Sequence, residues 1–186
     1  MDLHEQVWSR LRDNGRHHVG INGLDCSGKS TFAESFQTFL STKGISSVIL
    51  RVDDYNDRGF QKRFYQEYID LGLGRHGVDL EDYYNDSIRY CALKSAIEDH
   101  RHDLGVTIVE GVFLFKPMLS DLFQTKVFLE VSYAEAISRY EQRKARVGDT
   151  RPLAVMTDIW IPDFELYLER CDPKGQSDVI ERFTGP

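Results

Sequence analysis

Apolar residues recur at helical spacing in some segments of the chain and form short continuous runs in others. The helical spacing predicts amphipathic helices over residues 3–13, 30–43, 80–99, 133–146 and 153–170. The short runs are rich in β-branched residues and predict strands over residues 18–22, 45–52, 105–110, 126–131 and 178–181. Residues 53–80 are polar, aromatic and rich in glycine, so we expect an irregular segment there that carries function.

The order of these elements predicts the architecture. Strands that alternate with helices indicate an α/β protein whose parallel sheet is covered on both faces. We predict a three-layer sandwich around a five-stranded parallel sheet in the spatial order 2-3-1-4-5, with a small lid. The length of 186 residues suits one domain, and no repeat or linker-like stretch divides it.

Composition narrows the function classes. The chain is 41% hydrophobic and 28% charged, with a formal net charge of −7, which disfavours the anionic backbone of nucleic acid as a partner. No apolar run approaches the roughly 18 residues of a membrane-spanning helix, and the first residues lack the apolar stretch of a signal peptide. We therefore expect a soluble cytoplasmic protein with no membrane or nucleic-acid partner. A homo-oligomer is compatible with the sequence.

One motif predicts a nucleotide site. Residues 23–30, GLDCSGKS, match G-x-x-x-x-G-K-[ST] between a predicted strand and a predicted helix. In such a loop the backbone N–H groups turn toward phosphate oxygens, and the helix N-terminus adds positive potential. Lys29 would contact the β- and γ-phosphates, and the Ser30 hydroxyl would hold Mg²⁺. The motif predicts a phosphate-loop NTPase with ATP bound by Gly23, Asp25, Cys26, Ser27, Gly28, Lys29, Ser30 and Thr31.

Cys26 lies within this loop, among N–H groups near a helix N-terminus. That surrounding predicts a lowered thiol pKa and a redox-sensitive side chain. A small packed side chain without redox function is the alternative.

Two further acidic residues follow predicted strands. In a parallel sheet, functional groups gather beyond the carboxyl ends of the strands, so Asp53 and Glu110 are expected beside the phosphate loop. Asp53 would take the proton of an attacking hydroxyl, and Glu110 would ligate Mg²⁺ directly or through water. We favour Asp53 over Asp54, because adjacent residues of an extended chain point to opposite sides. Turn or helix-capping roles are the alternatives for Asp53 and Glu110.

Arg139, Arg143 and Arg146 form a basic stripe at helical spacing, just before the break at residues 148–152. The stripe suits a lid over residues 139–152 whose arginines cover the transferred phosphate. A solvated helix face, neutralised by neighbouring glutamates, is the alternative.

Taken together, these segments resemble the uridine kinase and phosphoribulokinase-like group of phosphate-loop kinases. The segments that carry the resemblance are GLDCSGKST, DDYN, VDLEDYYNDSI, VEGVFLF, RYEQR and WIPDFELYLERCDPKGQSDVI, from about residue 19 to 180. The resemblance implies that Asp53 is the catalytic base, that Asp79 holds ribose hydroxyls, that Arg139 and Arg143 are lid arginines, and that Glu110 lies near Mg²⁺. Tyr55-Asn56 and Leu80-Glu81 depart from the group's pattern. These departures affect residues expected to recognise the base more than residues expected to transfer the phosphate.

We therefore predict an ATP-dependent kinase that phosphorylates a small hydroxylated metabolite, with a nucleoside 5′-hydroxyl as the leading acceptor. The acceptor would bind within residues 53–85, on Asp53, Tyr55, Asp79 and Tyr84. Tyrosine rings available for stacking there are those of Tyr65, Tyr68, Tyr83 and Tyr84. Nicotinamide riboside and pantothenate are alternatives. A nucleoside monophosphate is another, because Asp25 is similar to a residue in the loop of thymidylate kinases. A monophosphate would require the positive charges of Arg58, Lys62, Arg63 and Arg75.

Proteins that bind nucleotide without transferring phosphate are the main rivals. A GTPase-type switch would carry an Asn-Lys-x-Asp segment, and a transporter-type ATPase a Leu-Ser-Gly-Gly segment, and the chain has neither. A degenerate kinase that only binds nucleotide stays open.

Overall fold

A computed structural model describes residues 2–13, 18–72, 79–100 and 105–182. In chain order its elements are α1 (Leu3–Asp13), β1 (His18–Asn22), α2 (Lys29–Thr42), β2 (Ser47–Arg51), a 3-10 turn (Val52–Tyr55), α3 (Arg58–Asp70), α4 (Leu80–Asp86), α5 (Tyr90–Asp99), β3 (Val106–Gly111), α6 (Pro117–Ser120), β4 (Thr125–Leu129), α7 (Tyr133–Val147), a π-helix (Met156–Trp160), α8 (Ile161–Cys171) and β5 (Val179–Glu181). The strands pair in parallel in the order β2-β3-β1-β4-β5, which confirms the predicted fold class. Across these residues, every helix is too short or too polar to cross a membrane.

Two hydrophobic cores lie on opposite faces of the sheet. One joins α1 and α2 to the sheet through Val7, Leu11, Phe32, Phe36 and Leu40. The other, larger core joins the sheet to α3 through α8. The central strands β1 and β3 are buried along their whole length, as expected for parallel strands covered on both faces.

The strand register brings the predicted functional residues to one edge. Asn22 at the end of β1 pairs with Gly111, and Arg51 at the end of β2 pairs with Glu110. Since these strands are parallel, the segments that follow them emerge side by side. The phosphate loop and the segment that begins at Val52 therefore share one crevice.

The prediction of an irregular segment over 53–80 was wrong for most of the described part. It contains the 3-10 turn and the thirteen-residue helix α3. Asp57 caps α3, because its side chain accepts a hydrogen bond from the N–H of Phe60 at 2.8 Å. Phe60, Phe64 and Tyr68 form an i, i+4, i+8 stripe that packs on the larger core, between residues that are otherwise polar.

The single helix predicted over 80–99 is two helices, α4 and α5. The residues between them bond to the segment after β2 instead of continuing the helix: the Ser87 carbonyl accepts from Asp57 N–H, and Arg89 N–H donates to the Tyr55 carbonyl. Ile88 also forms an antiparallel bridge with Asn56. Tertiary pairing thus satisfies backbone groups that a continuous helix would have used.

The last predicted helix, over 153–170, begins with a π-helical stretch at Met156–Trp160 and continues as α8 to Cys171. Such wide turns are rare and occur frequently at functional sites. The bounds of α2, α7, β2, β3, β4 and β5 differ from the predicted ones by one or two residues, and α1 and β1 are as predicted.

Asp163 of α8 is fully buried, and neither carboxylate oxygen has a hydrogen-bond partner among the described residues. Burial raises its pKa to about 8, although the buried Lys116 ammonium opposes the shift. The folded protein therefore holds a proton that the unfolded chain releases, so stability should fall as pH rises from about 5 to 8. We expect Asp163→Asn to reduce this fall and to be more stable than the wild type at pH 8, by about 1 kcal/mol or more.

Urea unfolding of both proteins at pH 5 and pH 8 measures this difference. Lys116, whose pKa burial lowers to about 8, is charged in folded and unfolded chains below that pH and adds no slope there. Equal pH slopes for the two proteins would contradict the assignment of the titration to Asp163.

Candidate active site

The phosphate loop curls where β1 meets α2. Gly28 has φ of 99°, a left-handed conformation that favours glycine, and it is the N-cap residue directly before α2. At Gly23 a Cβ would lie 2.5 Å from the Leu129 carbonyl oxygen, so no larger residue fits. The loop faces a cavity of about 500 Å³, here called the phosphate-loop cavity. Its lining consists of Asp25, Cys26, Gly28, Lys29, Ser30, Thr31, Asp53, Glu110, Gly111, Val112, Arg139, Arg143 and Arg146.

Three predicted site residues meet at the start of α2. Lys29 is 7% exposed, and its ammonium donates to the Leu24 carbonyl at 2.8 Å. The Ser30 hydroxyl donates to Glu110 Oε1 at 2.9 Å, which joins the loop to the end of β3. Burial raises the pKa of Glu110, while Lys29 and the Ser30 hydrogen bond oppose the shift. Ser30 and Glu110 thus present a hydroxyl and a carboxylate, the oxygen donors that Mg²⁺ prefers.

The basic stripe of α7 faces the loop. Arg139 donates to the Cys26 carbonyl at 3.1 Å and to Glu135 Oε1 at 2.6 Å, which fixes its guanidinium beside the loop. Arg143 and Arg146 line the same cavity. α7 ends at Gly148 in the left-handed conformation, so the predicted lid segment is the C-terminal half of α7 with the turn after it.

Asp53 lies where two cavities meet. It lines the phosphate-loop cavity and a second cavity of about 150 Å³, here called the aromatic cavity. Three other residues, Asp25, Val112 and Arg143, also line both. Asp53 is open to the cavities, yet the protein atoms around it desolvate its carboxylate and raise its pKa, and Asp25 raises it further.

Asp54 lines neither cavity. Its carbonyl accepts from the Arg89 guanidinium at 3.2 Å. The argument that an extended chain separates the two aspartates was wrong in its premise, since both lie in the 3-10 turn after β2. Successive side chains of such a turn are about 120° apart, which still directs them differently.

The aromatic cavity is lined by residues from the phosphate loop, the 3-10 turn, α3, α4, α7, the π-helix, α8 and the segments after the 3-10 turn, α4, α7 and β3. They are Leu24, Asp25, Asp53, Asn56, Gln61, Tyr65, Tyr83, Ser87, Ile88, Val112, Phe113, Arg143, Arg151, Trp160 and Phe164. Arg151 is held by two contacts with the Asp149 carboxylate, at 3.0 and 2.6 Å, and lies 4.8 Å from the Trp160 ring. Charged, amide and aromatic groups thus surround one small space.

Sequence reasoning missed Arg151 and Trp160 as site residues. Arg151 lies within the predicted lid over residues 139–152, and Trp160 begins the last segment that carries the resemblance, but no local signal assigned either one to the acceptor site. They reach the cavity through the packing of α7, the π-helix and α3. Tyr65 and Tyr83 are among the tyrosine rings expected for stacking, and the structure places both in the lining of the aromatic cavity, with their hydroxyl oxygens 2.7 Å apart.

Other residues predicted to bind the acceptor are not among those that line the aromatic cavity. Asp79 is exposed and caps α4 by accepting from the Glu81 N–H at 2.8 Å. The Tyr84 hydroxyl lies 3.3 Å from the Cys171 sulfur, outside the cavity, and Tyr55 packs at the edge of the larger core. Arg58, Lys62 and Arg63 are exposed on α3, and Arg75 lies outside the described residues.

The predicted lowering of the Cys26 pKa was wrong. Burial of the thiol raises its pKa, and this effect exceeds the lowering by Arg143, Lys29 and Arg139. The loop N–H groups do not compensate for lost hydration, so the thiol stays protonated, which disfavours nucleophilic and redox chemistry.

Cys26 instead carries backbone strain. Its φ of 62° is left-handed, which costs an L-residue roughly 1–2 kcal/mol. We expect Cys26→Gly to be more stable than Cys26→Ala by about 1 kcal/mol, because only glycine adopts this φ freely. Urea unfolding of the two variants measures the difference, and a more stable alanine variant would contradict the strain.

Comparison with solved structures places the chain among known folds. A chain from Bacillus stearothermophilus, provisionally named a uridine kinase, aligns with TM-score 0.64 and 18% identity, over 97% of this chain and 100% of that one. A chain from Silicibacter sp. TM1040, provisionally named a fructose transport system kinase, aligns with TM-score 0.61 and 20% identity, over 96% of each chain. No protein-family model and no curated protein sequence matches the chain. At these identities the likeness shows the fold alone: the chain has the fold of phosphate-loop kinases.

Proposed function

We propose that this protein is an ATP-dependent kinase that transfers the γ-phosphate to a hydroxyl of a small metabolite, with a nucleoside 5′-hydroxyl as the leading acceptor. The observation that carries the proposal is the position of Asp53 and Arg143, which line both cavities. A nucleotide on the phosphate loop and an acceptor in the aromatic cavity would therefore meet at these two side chains. In-line transfer requires such a meeting point.

Each side chain at this meeting point has a chemical role in the proposal. The Asp53 carboxylate takes the proton of the acceptor hydroxyl, and its raised pKa makes it a better proton acceptor than an ordinary aspartate. Lys29 and the N–H groups at the start of α2 hold the phosphates of ATP. Arg139 and Arg143 oppose the negative charge that spreads over the transferred phosphoryl group.

Ser30 and Glu110 would hold Mg²⁺, the ion expected with ATP. Their hydroxyl and carboxylate oxygens suit it, and Mg²⁺ usually takes only one or two protein ligands beside phosphates and water. When bound, the ion neutralises phosphate charge.

A monosaccharide is a second candidate acceptor. The aromatic cavity, at about 150 Å³, is smaller than the roughly 300–1,000 Å³ of sites for drug-sized ligands, which favours a compact, hydroxyl-rich compound. The two neighbouring structures carry the names of a nucleoside kinase and a sugar kinase, so their names do not separate the candidates. Nicotinamide riboside and pantothenate belong in the same test. Arg58, Lys62 and Arg63, the charges expected for a monophosphate, lie outside the cavity, but Arg143 and Arg151 line it, so monophosphates belong in the test as well.

A coupled ADP-release screen tests the proposal. The panel contains uridine, cytidine, D-fructose, D-ribose, nicotinamide riboside, pantothenate, UMP and TMP, each with ATP and Mg²⁺, against a reaction without acceptor. We expect ADP release that depends on one acceptor class. Phosphate release from GTP without any acceptor would favour the switch interpretation, and no acceptor-dependent release would overturn the proposed function.

A further inference from the structure

Two tyrosine hydroxyls and an indole N–H form a chain on one wall of the aromatic cavity. Trp160 Nε1 donates to the Tyr65 hydroxyl at 2.9 Å, and the Tyr65 and Tyr83 hydroxyl oxygens are 2.7 Å apart. The three residues come from the π-helix, α3 and α4, and all three line the cavity. Their convergence is a product of the tertiary fold.

The hydrogen bonds among these three groups leave one hydroxyl hydrogen without an acceptor in the described part of the chain. An indole N–H only donates, whereas each tyrosine hydroxyl has one hydrogen to donate and oxygen lone pairs to accept. The Trp160 hydrogen is used on Tyr65, and one of the two hydroxyl hydrogens is used between Tyr65 and Tyr83. The other hydroxyl hydrogen has no acceptor among the described residues. One donor is therefore left for a molecule in the cavity.

The bond from Trp160 favours Tyr83 as the hydroxyl that keeps this hydrogen. A hydroxyl that accepts a hydrogen bond becomes a better donor, so the chain runs from Trp160 through Tyr65 to Tyr83. Tyr83 is then the terminal donor. Its ring lies 5.0 Å from the Phe64 ring and 6.4 Å from the Phe60 ring, and these contacts fix its orientation before any ligand binds.

We infer that Tyr83, oriented by Tyr65 and Trp160, is a specificity-determining residue that donates one hydrogen bond to an oxygen of the phosphate acceptor. The inference rests on the proposed function and narrows its substrate class. The acceptor is a compact compound with one hydroxyl at Asp53 and a second oxygen, a carbonyl, ring or hydroxyl oxygen, at Tyr83. A compound without that second oxygen leaves a buried donor unpaired and binds worse.

Both tyrosines stay neutral donors at physiological pH. Burial raises the pKa of Tyr65 and raises that of Tyr83 well above its ordinary value. The two hydroxyls therefore carry no negative charge that would attract a cationic group and no positive charge that would bind a phosphate. The hydrogen bond that they offer is a neutral one, suited to an uncharged oxygen of the acceptor.

Steady-state kinetics of Tyr83→Phe and Tyr65→Phe test the inference, with uridine and D-fructose as first probes and the other panel compounds after them. We expect either variant to lower kcat/KM for the acceptor by about 10-fold, mainly through a higher acceptor KM, with the KM for ATP unchanged. Tyr90→Phe is the matched control, because the buried Tyr90 hydroxyl has no hydrogen-bond partner among the described residues and Tyr90 does not line the aromatic cavity. We expect no kinetic change in that variant.

Analogues of the accepted compound that each lack one carbonyl, ring or hydroxyl oxygen, other than the hydroxyl that is phosphorylated, identify the atom that Tyr83 contacts. For one analogue, kcat/KM of the wild type should fall to the value that Tyr83→Phe shows with the full compound. The wild type and Tyr83→Phe should then have equal kcat/KM for that analogue. This experiment can be read from the wild type alone, so it still decides if a tyrosine variant fails to fold. If the wild type phosphorylates every analogue as fast as the full compound, the inference is overturned.

The two possible failures are distinguishable. If the wild type phosphorylates a panel compound and both tyrosine variants match it, only the inference is overturned. If the wild type phosphorylates no compound of the panel, the proposed function is overturned, and the inference with it.

Discussion

Lys29→Ala is expected to lower kcat by about 10³-fold or more while the protein stays folded. The lysine lies at the start of α2 and is nearly buried beside the phosphate-loop cavity. Its charge would oppose the negative charge that develops between the β- and γ-phosphates, and such stabilisation is realised mostly in the transition state. Single-turnover rates with saturating ATP and the acceptor from the screen measure the loss.

Lys43→Ala is the matched control, because Lys43 follows the other end of the same helix. Its ammonium contacts Glu5 at 2.9 Å and lies 4.7 Å from the Phe39 ring, far from the phosphate loop in the helix, so its loss should leave turnover unchanged. Circular dichroism and thermal unfolding of both variants show whether the fold is kept. Normal turnover in a folded Lys29→Ala protein would contradict the role given to the phosphate loop.

Asp53→Asn has the second largest expected effect, a fall in kcat of roughly 10²-fold or more with little change in ATP affinity. The amide keeps the size of the side chain and its capacity for hydrogen bonds, but it cannot take the proton of the acceptor hydroxyl. Asp53 lies at the junction of the two cavities, which is where that hydroxyl would face the γ-phosphate. Single-turnover rates and ATP titrations measure the two quantities.

Asp54→Asn is the matched control, since Asp54 is the adjacent residue of the same 3-10 turn and lines neither cavity. We expect a much smaller loss in that variant. The choice of base is wrong if Asp54→Asn is the damaged enzyme and Asp53→Asn is near normal.

The pH profile offers a second measurement on Asp53. A base works in its ionised form, so kcat/KM should fall as pH decreases through its pKa. Desolvation and the nearby Asp25 charge raise that pKa, which places the acid limb at higher pH than for an ordinary aspartate. An acid limb at or below the ordinary aspartate value would contradict the environment described for Asp53.

Helices α3, α4 and α5 show why part of the fold escaped prediction. The apolar stripe of α3 has only three members among charged neighbours, so its period is weak over the whole segment. Conversely, residues 80–99 have helical character throughout, yet Ser87–Arg89 pair with residues 55–57 and interrupt the helix. Local helix propensity cannot predict that pairing, since the paired residues lie about thirty positions apart in the sequence.

The sequence by itself determined the sheet and the phosphate loop. Buried parallel strands appear in the sequence as continuous apolar runs, which identifies them. The glycines, Lys29 and Ser30 of the phosphate loop lie within eight consecutive residues, so the geometry of the loop follows from local backbone preferences. Only the tertiary structure decided the wall of the aromatic cavity. Tyr65, Tyr83, Trp160 and Arg151 come from segments far apart in the chain, and no local pattern fixes their distances. Their positions depend on how α3, α4 and the π-helix pack on the sheet, because a side chain's neighbours in a core are set by that packing.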